Sequence, residues 1–234
     1  MTALAHAIDR AVMEEALEAQ GFAKLPRLLS VRQCESLAAM YSDDERFRTR
    51  IDMTRFRFGA GEYKYFANPL PELIDELRHD LYEQLAPTAN AWAERLRSSR
   101  PRFPATLDGF LKICHAAGQR RPTPLLLSYT AGGYNCLHQD IYGDVAFPLQ
   151  VVFGLSRPGH DYEGGESLFV EQRSRAQSRG FALRIEQGEG LVFATRERPV
   201  AGSRGDYRVA LRHGVSTITS GSRMALGIIF HDAR

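Results

Sequence analysis

A chain of 234 residues fits one domain of ordinary size, or one core with a helical extension. Its hydrophobic fraction of 44% and charged fraction of 25% are typical of a soluble globular protein. The net charge of only +2 excludes a polyelectrolyte that binds nucleic acid along its whole length. No apolar run approaches the roughly 20 residues of a membrane span, and the start has no signal-peptide core. We therefore expect a cytoplasmic protein with no membrane partner.

The numbers of cysteines and arginines further restrict the class of protein. The three cysteines are odd in number and lack CxxC spacing, which argues against a disulfide framework and a structural zinc site. Of the 30 basic residues only three are lysines. Nine arginines and five acids lie between Glu171 and Arg212, so this stretch is either a local positive patch or a solvated arginine-rich surface.

Residues 1–100 carry the periodicity of helices and are predicted to be mainly helical. Ser30 followed by Gln33 matches a capping box at a helix start. A longer helix is predicted after Pro71, and Pro87 is expected to kink or break it. The apolar residues that mark these helices are Ile8, Val12, Leu17, Leu37, Met40, Tyr41, Leu73, Ile74, Leu77, Leu81 and Leu85.

The segment RFRFGAGEYKYF, residues 55–66, alternates large and polar side chains around two glycines. This pattern favours an ordinary hairpin, and a mobile loop or substrate lid is the alternative. Its aromatic residues suit either a hydrophobic core or a stacking platform for a nucleic-acid base.

From about residue 103 the pattern changes to short apolar runs with a period of two, separated by glycine and proline turns. We predict an α+β fold, with a jelly-roll core in residues 101–234 and the N-terminal helices on one face, as one domain spanning 1–234. The predicted strands are Leu125–Tyr129, Leu149–Leu155, Ser167–Val170, Phe181–Ile185, Gly190–Ala194, Val209–Val215 and Met224–Phe230.

His138 and Asp140 form an H-x-D triplet. On a strand, residues i and i+2 point to the same face, so the imidazole and the carboxylate converge. His213, at the end of the apolar strand LRHGV, is the best candidate for a third ligand. Two histidines and one carboxylate form the facial triad of non-haem Fe(II) oxygenases, although the same ligand types also suit zinc.

Arg223 strengthens the oxygenase hypothesis. It lies ten residues after His213, at the start of the strand RMALGIIF. A guanidinium there can bind the distal carboxylate of 2-oxoglutarate through two parallel hydrogen bonds. The sequence therefore predicts Fe(II) and 2-oxoglutarate as cofactors, with dioxygen as the second substrate.

With these residues the chain resembles the 2-oxoglutarate/Fe(II) dioxygenase superfamily, whose fold is a double-stranded β-helix. The resemblance covers roughly residues 125–232. It implies that Tyr129, nine residues before His138, helps hold 2-oxoglutarate. It also implies a structural role for the segment YEGGESLF, residues 162–169, which is similar to a strand start in prolyl-hydroxylase-like members.

A closer resemblance is carried by HQDIYGDVAFPLQ, GGES, EQRSRAQSR, RHGV and IIFHDA, and it extends to FRFGAGEYKYF. These strings resemble a bacterial oxygenase family assigned to oxidative removal of methyl groups from damaged DNA, an AlkB-like activity. The AlkB pattern has two arginines six residues apart, whereas here position 229 is isoleucine. The ten-residue spacing from His213 to Arg223 is closer to prolyl-hydroxylase-like enzymes.

Three functions therefore stay open. The first is oxidative demethylation of alkylated nucleic acid in DNA repair, with single-stranded or damaged DNA as partner. The second is hydroxylation of a protein side chain or a small metabolite. The third is a non-catalytic sensor that binds the metal or 2-oxoglutarate.

Several other polar residues are assigned provisional roles. His231 and Asp232 are interpreted as a hydrogen-bonding pair at a strand end, with a place in the substrate pocket as the alternative. His160 and Asp161 are expected to cap a turn, and no partner is predicted for His115. Side chains that can line the mouth of the pocket are Gln150, Glu171 and Arg212.

Overall fold

A computed structural model of the protein describes residues 7–140 and 143–234. The α-helices in these two ranges are α1 (Arg10–Gln20), α2 (Val31–Ala39), α3 (Glu72–Arg95) and α4 (Leu107–Ala116). The strands are β1 (Phe22–Arg27), β2 (Phe47–Asp52), β3 (Gly59–Ala60), β4 (Glu62–Phe66), β5 (Leu125–Thr130), β6 (Tyr134–His138), β7 (Leu149–Gly154), β8 (Tyr162–Gly164), β9 (Ser167–Gln172), β10 (Arg179–Leu183), β11 (Glu189–Ala194), β12 (Glu197–Val200), β13 (Tyr207–Val215) and β14 (Ile218–Ile228).

The first two helices begin at side-chain caps that the sequence encodes. The Asp9 carboxylate accepts the amide hydrogen of Val12, and Ser30 forms the predicted capping box with Gln33. The predicted apolar face of α1 is partly wrong. Val12 is 61% exposed, whereas Met13 and Leu17 are buried. A spacing of four residues fits the helix equally well from Met13 to Leu17, and only the packing partner decides between such faces.

Helix α3 continues through Pro87 without a break. Pro87 lies on the exposed side of the helix, where water can satisfy the carbonyl that lacks its amide partner. Buried residues on both sides of the proline, including Leu81, Leu85 and Trp92, hold the two halves against the core. Pro87 therefore does not break the helix, because packing holds the segments before and after it.

Two antiparallel sheets face each other and form the predicted jelly-roll core. The larger sheet has the strand order β1-β11-β7-β14-β5-β4-β2, with β8 beside β14. The smaller sheet has the order β10-β9-β13-β6-β3, with β12 beside β13. Each of the seven predicted strands is present with shifted ends. The prediction for residues 1–100 omitted β1 and β2, which belong to the larger sheet.

The segment 55–66 is not a hairpin. Strand β3 pairs with β6 in the smaller sheet, while β4 lies between β2 and β5 in the larger sheet. The chain therefore crosses from one sheet to the other within this segment. Gly61 makes the crossing, with φ of +147°, and a Cβ there would lie 2.7 Å from the ring of Tyr129.

Alternation along β14 separates the helical core from the interior of the jelly roll. Leu226 and Ile228 are fully buried in the core that contains the helices. Arg223, Ala225 and Gly227 point the other way and line the cavity between the sheets. Helices α2 and α3 pack against β14, and α1 packs against β1, so the helices cover the outer face of the larger sheet. None of the helices in the described part of the chain has the length and hydrophobicity of a membrane span.

Candidate metal and oxoglutarate site

The three predicted metal ligands meet between the two sheets. His138 ends β6 and lies directly opposite His213 of β13 in the strand register. Ligand atoms of His138, Asp140 and His213 all lie within 4.8 Å of one another. Asp140 follows β6, and its amide donates to the Thr195 carbonyl at 3.1 Å. Pairing of two remote strands therefore brings together residues about 70 positions apart in sequence.

The distances within this cluster suit one metal ion. One Asp140 carboxylate oxygen, Oδ1, lies 3.6 Å from His138 Nε2, and the other, Oδ2, lies 3.2 Å from His213 Nε2. Two ligands at right angles, each about 2.1 Å from a metal, are about 3.0 Å apart. Both carboxylate–imidazole distances are therefore close to the separation that two ligands of one metal ion require.

Protonation in the cluster favours metal binding. Burial, and then the proximity of His213, lower the pKa of His138, so its neutral form persists to lower pH. Burial opposes the ionisation of Asp140, but a hydrogen bond with His213 and the charges of both histidines lower its pKa to about 2. His138 Nδ1 lies 2.7 Å from the Cys136 carbonyl. A proton on Nδ1 donates to that oxygen and leaves Nε2 as the metal ligand.

Gln150 of β7 supports the carboxylate. Its amide nitrogen donates to the Asp140 carboxylate at 2.6 Å and lies 3.3 Å from His213 Nε2. Of the three residues predicted at the mouth of the pocket, only Gln150 lines the cavity. Glu171 instead forms a buried ion pair with Arg198, and Arg212 is exposed outside the cavity.

A cavity of about 360 Å³ extends from the triad between the sheets. Its walls are mainly apolar, because the inward residues of the central strands are aliphatic or aromatic. The apolar lining residues include Leu125, Leu127, Val152, Phe169, Leu191, Phe193, Ala225 and Ile229.

Arg223 and Tyr129 are paired neighbours in this cavity, opposite each other on β14 and β5. Arg223 is only 4% exposed, and among the residues that the structure describes no carboxylate lies within 4.0 Å of it. The Tyr129 hydroxyl is fully buried and has no hydrogen-bond partner within the described ranges. Burial, partly offset by Arg223, raises the pKa of Tyr129 to about 12, so the hydroxyl stays a donor. A buried cation and an unpaired donor in one cavity fit an anionic ligand.

The segment YEGGESLF shapes the space around Arg223. Gly165 has φ of +68°, which favours glycine. A Cβ at this position would lie 2.9 Å from Arg223 Cδ and 2.4 Å from Ile218 Cδ1. The adjacent glycines, Gly164 and Gly165, therefore let the chain at the end of β8 approach the aliphatic part of the Arg223 side chain.

The remaining polar residues lie outside the cavity lining. Asp232 pairs with buried Arg78 at 2.7 Å and with His115 Nε2 at 2.9 Å, which supplies the partner that the sequence did not indicate for His115. His231 Nδ1 accepts the Phe147 amide hydrogen at 3.3 Å. His231 and Asp232 thus form hydrogen bonds beyond the end of β14, as predicted, but with other residues and not with each other.

Comparison with known proteins places the chain in a family. A family model described as "Oxygenase, catalysing oxidative methylation of damaged DNA" matches residues 61–233. The chain belongs to this oxygenase family. Two proteins described as uncharacterized, from two strains of Mycobacterium tuberculosis, are each 54% identical to it over 168 residues, which is 72% of this chain and 72% of theirs.

Solved structures with the same fold are more distant in sequence. A prolyl-4-hydroxylase from Pseudomonas putida has a TM-score of 0.55 and 16% identity, over 96% of this oxygenase and 99% of that chain. The carbocyclase SnoK, described as non-heme and alpha-ketoglutarate dependent, has a TM-score of 0.57 and 17% identity, over 96% of this chain and 84% of that chain. A 2OG-Fe(II) oxygenase family protein from Burkholderia pseudomallei has a TM-score of 0.55 and 14% identity, over 96% and 91%.

The family match confirms that the chain is an oxygenase, as predicted, and the solved structures share its predicted fold. The His-Asp-His donor set fits the predicted Fe(II), and the buried Arg223, which has no carboxylate partner among the described residues, fits the predicted 2-oxoglutarate. The prediction missed Arg57, which also lines the cavity. Its position between Phe56 and Phe58 was the available sequence signal.

Proposed function

We propose that this oxygenase removes methyl groups from alkylated bases of nucleic acid by oxidation, as a DNA repair enzyme. The observation that carries the chemistry is the convergence of two histidines and one carboxylate beside a buried arginine with no carboxylate partner among the described residues. The family description, which names damaged DNA, supports the substrate class. Because oxidation of a methyl C–H bond detaches the methyl group as formaldehyde, we propose demethylation rather than methylation.

Each side chain of the site has a proposed role. His138, Asp140 and His213 would hold Fe(II), whose chemistry with dioxygen and 2-oxoglutarate oxidises a substrate C–H bond and yields succinate and carbon dioxide. Arg223 would bind the distal carboxylate of 2-oxoglutarate through its guanidinium, and Tyr129 would donate its hydroxyl hydrogen to the same group. The apolar walls of the cavity would exclude water from the reaction.

The arginine-rich stretch contributes less to this proposal than its sequence suggested. Four of its nine arginines are paired with acids of the same stretch. Others are exposed, including Arg196, which borders a second cavity of about 270 Å³ on the other side of Asp140. The positive charge available to a polyanionic substrate from this stretch is therefore limited to its unpaired, exposed arginines.

The first experiment measures formaldehyde and succinate after incubation of a methylated single-stranded oligonucleotide with Fe(II) and 2-oxoglutarate. We expect both products in equal amounts from the wild-type protein. His138→Ala, Asp140→Ala and His213→Ala should each abolish both, while His160→Ala, which changes an exposed histidine in a turn, should not. Full activity in any triad variant would remove that residue from the metal site.

The alternative substrate, a protein side chain or small metabolite, is favoured by the ten-residue spacing between His213 and Arg223. The same assay distinguishes the two classes. Succinate formation that rises with a peptide or a small acid, and with no methylated oligonucleotide, would reject demethylation and support the hydroxylase. Succinate formation under none of these conditions would support a non-catalytic sensor.

A further inference from the structure

Large apolar side chains are exposed at the mouth of the cavity. Phe56 is 53% exposed, Phe58 42% and Leu137 43%. The rings of Phe56 and Phe58 stack, with centroids 5.6 Å apart and planes 20° from parallel. Phe58 and Leu137 also line the cavity that contains the triad, so this apolar surface continues into the reaction site. Clustered exposed apolar groups of this kind mark an interaction surface.

A cation lies within the same surface. Arg57 is exposed, lines the cavity, and adopts a left-handed conformation with φ of 59°. Among the described residues, no carboxylate lies within 4.0 Å of its guanidinium. Its neighbour Arg55 is 81% exposed and is only loosely paired, at 3.6 Å, with Asp52. The surface therefore combines two stacked rings with a cation that has no acidic partner in the described chain.

The backbone fixes this surface relative to the metal ligands. The Cys136 amide donates to the Phe58 carbonyl at 2.8 Å, and β3, which follows Phe58, pairs with β6. Cys136 is two residues before His138 on the same strand. The rings are thus held at a set distance from the site of oxidation, as recognition of a strand that presents one base to the site requires.

We propose that Phe56, Arg57, Phe58 and Leu137, the mouth platform, bind single-stranded nucleic acid beside the base that enters the cavity. Bases next to the lesion would stack on the phenylalanine rings, and Arg57 would pair with a backbone phosphate. A duplex keeps both faces of each base stacked inside the helix, so only an unpaired or flipped strand offers a free face. This inference rests on the proposed function and names the form of its substrate.

The test measures binding of an unmodified fluorescent oligothymidylate of about ten nucleotides, and of a duplex of equal length, to the protein with Mn²⁺ and 2-oxoglutarate. We expect the single strand to bind at least about tenfold more tightly than the duplex. The double variant Phe56→Ala with Phe58→Ala should weaken single-strand binding by about tenfold or more. Tyr207→Ala, which changes an aromatic residue that is 36% exposed and outside the cavity lining, should bind as the wild type does.

Charge is tested separately through salt dependence. Arg57→Gln should reduce the slope of log affinity against log salt by about 0.7, as the loss of one phosphate contact requires, and Arg57→Lys should keep it. Melting temperatures of all variants check folding. If the double alanine variant unfolds, Phe58→Trp replaces it and should retain or tighten single-strand binding, because it keeps the stacking surface.

Any of three results would overturn the proposed role of the mouth platform. They are wild-type affinity in the folded alanine variant, equal affinity for duplex and single strand, and tighter binding of an acidic peptide through the same residues. Formaldehyde release together with any of these results would leave the proposed demethylation standing. Conversely, variant effects on oligonucleotide binding without formaldehyde from any methylated strand would support the platform and reject the demethylation.

Discussion

Replacement of Arg223 with glutamine tests the proposed binding site for 2-oxoglutarate. Arg223 is 4% exposed and is held over the Tyr129 and Tyr162 rings at 5.7 and 6.0 Å from their centroids. Glutamine keeps a polar side chain of moderate length but removes the positive charge and the planar fork. The distal carboxylate of 2-oxoglutarate would then be buried beside neutral donors such as the Tyr129 hydroxyl, with no positive charge next to it.

The size of the effect follows from the burial of the arginine. Removal of one partner from a buried, hydrogen-bonded charge pair costs about 2–5 kcal/mol. At about 1.4 kcal/mol per factor of ten, the affinity for 2-oxoglutarate should fall by about 30-fold to several thousand-fold. Arg223→Lys keeps the charge but loses the two parallel hydrogen bonds, so we expect a smaller loss of at least about tenfold.

The assay follows succinate formation as the concentration of 2-oxoglutarate is varied, with saturating Fe(II). The KM for 2-oxoglutarate should rise in Arg223→Gln, and direct titration with Mn²⁺ bound should show the same loss of affinity. Arg179→Gln, which changes an exposed arginine on β10, is the matched control and should behave as the wild type. A folded Arg223→Gln variant whose KM stays within about threefold of the wild type would refute the reasoning, because a loss of at least 2 kcal/mol cannot hide in that range.

Three further predictions follow from the same contacts. Tyr129→Phe should weaken 2-oxoglutarate binding about tenfold or more without lowering the melting temperature of the ligand-free protein, because its buried hydroxyl has no partner to lose in the described structure. Unchanged 2-oxoglutarate binding with a lower melting temperature would argue against this role of Tyr129. Gln150→Leu should lower the affinity for Mn²⁺ by about 10–100-fold, measured by titration, because it removes the 2.6 Å hydrogen bond to Asp140. Burial lowers the pKa of His231 from 6.5 to about 4, so the folded state binds fewer protons than the unfolded state. The free energy of unfolding should therefore fall by up to about 3 kcal/mol as pH drops from 6.5 to 4. In His231→Gln, the free energy of unfolding measured by urea denaturation should depend less on pH over this range.

The chemical identities of the site could be predicted from the sequence. The H-x-D triplet, a histidine in an apolar strand and an arginine in the last strand are local patterns, and their spacing predicts Fe(II) and 2-oxoglutarate. The alternation in β14 also predicts that Arg223 and Ala225 share a face. These inferences needed only residue type and a period of two.

Contacts between remote segments could not be predicted in this way. The pairing of β3 and β4 with different sheets depends on which strands are free at each edge, so the prediction of a hairpin in residues 55–66 was wrong. The choice between Val12 and Met13 as the buried residue of α1 depends on the strand that receives the helix. Glu171 was expected near the pocket, but Arg198 from another strand holds it in a buried ion pair.

The sequence by itself determined the chemistry proposed for this oxygenase, because ligand atoms, charges and strand periodicity belong to individual residues and their near neighbours. Only the tertiary structure decided where that chemistry takes place. It placed His213 beside His138, enclosed Arg223 with no carboxylate within reach in the described chain, and put Phe56 and Phe58 at the mouth of the cavity. Those arrangements arise from strand pairing across long stretches of chain, and many pairings satisfy the same local pattern until the whole core packs.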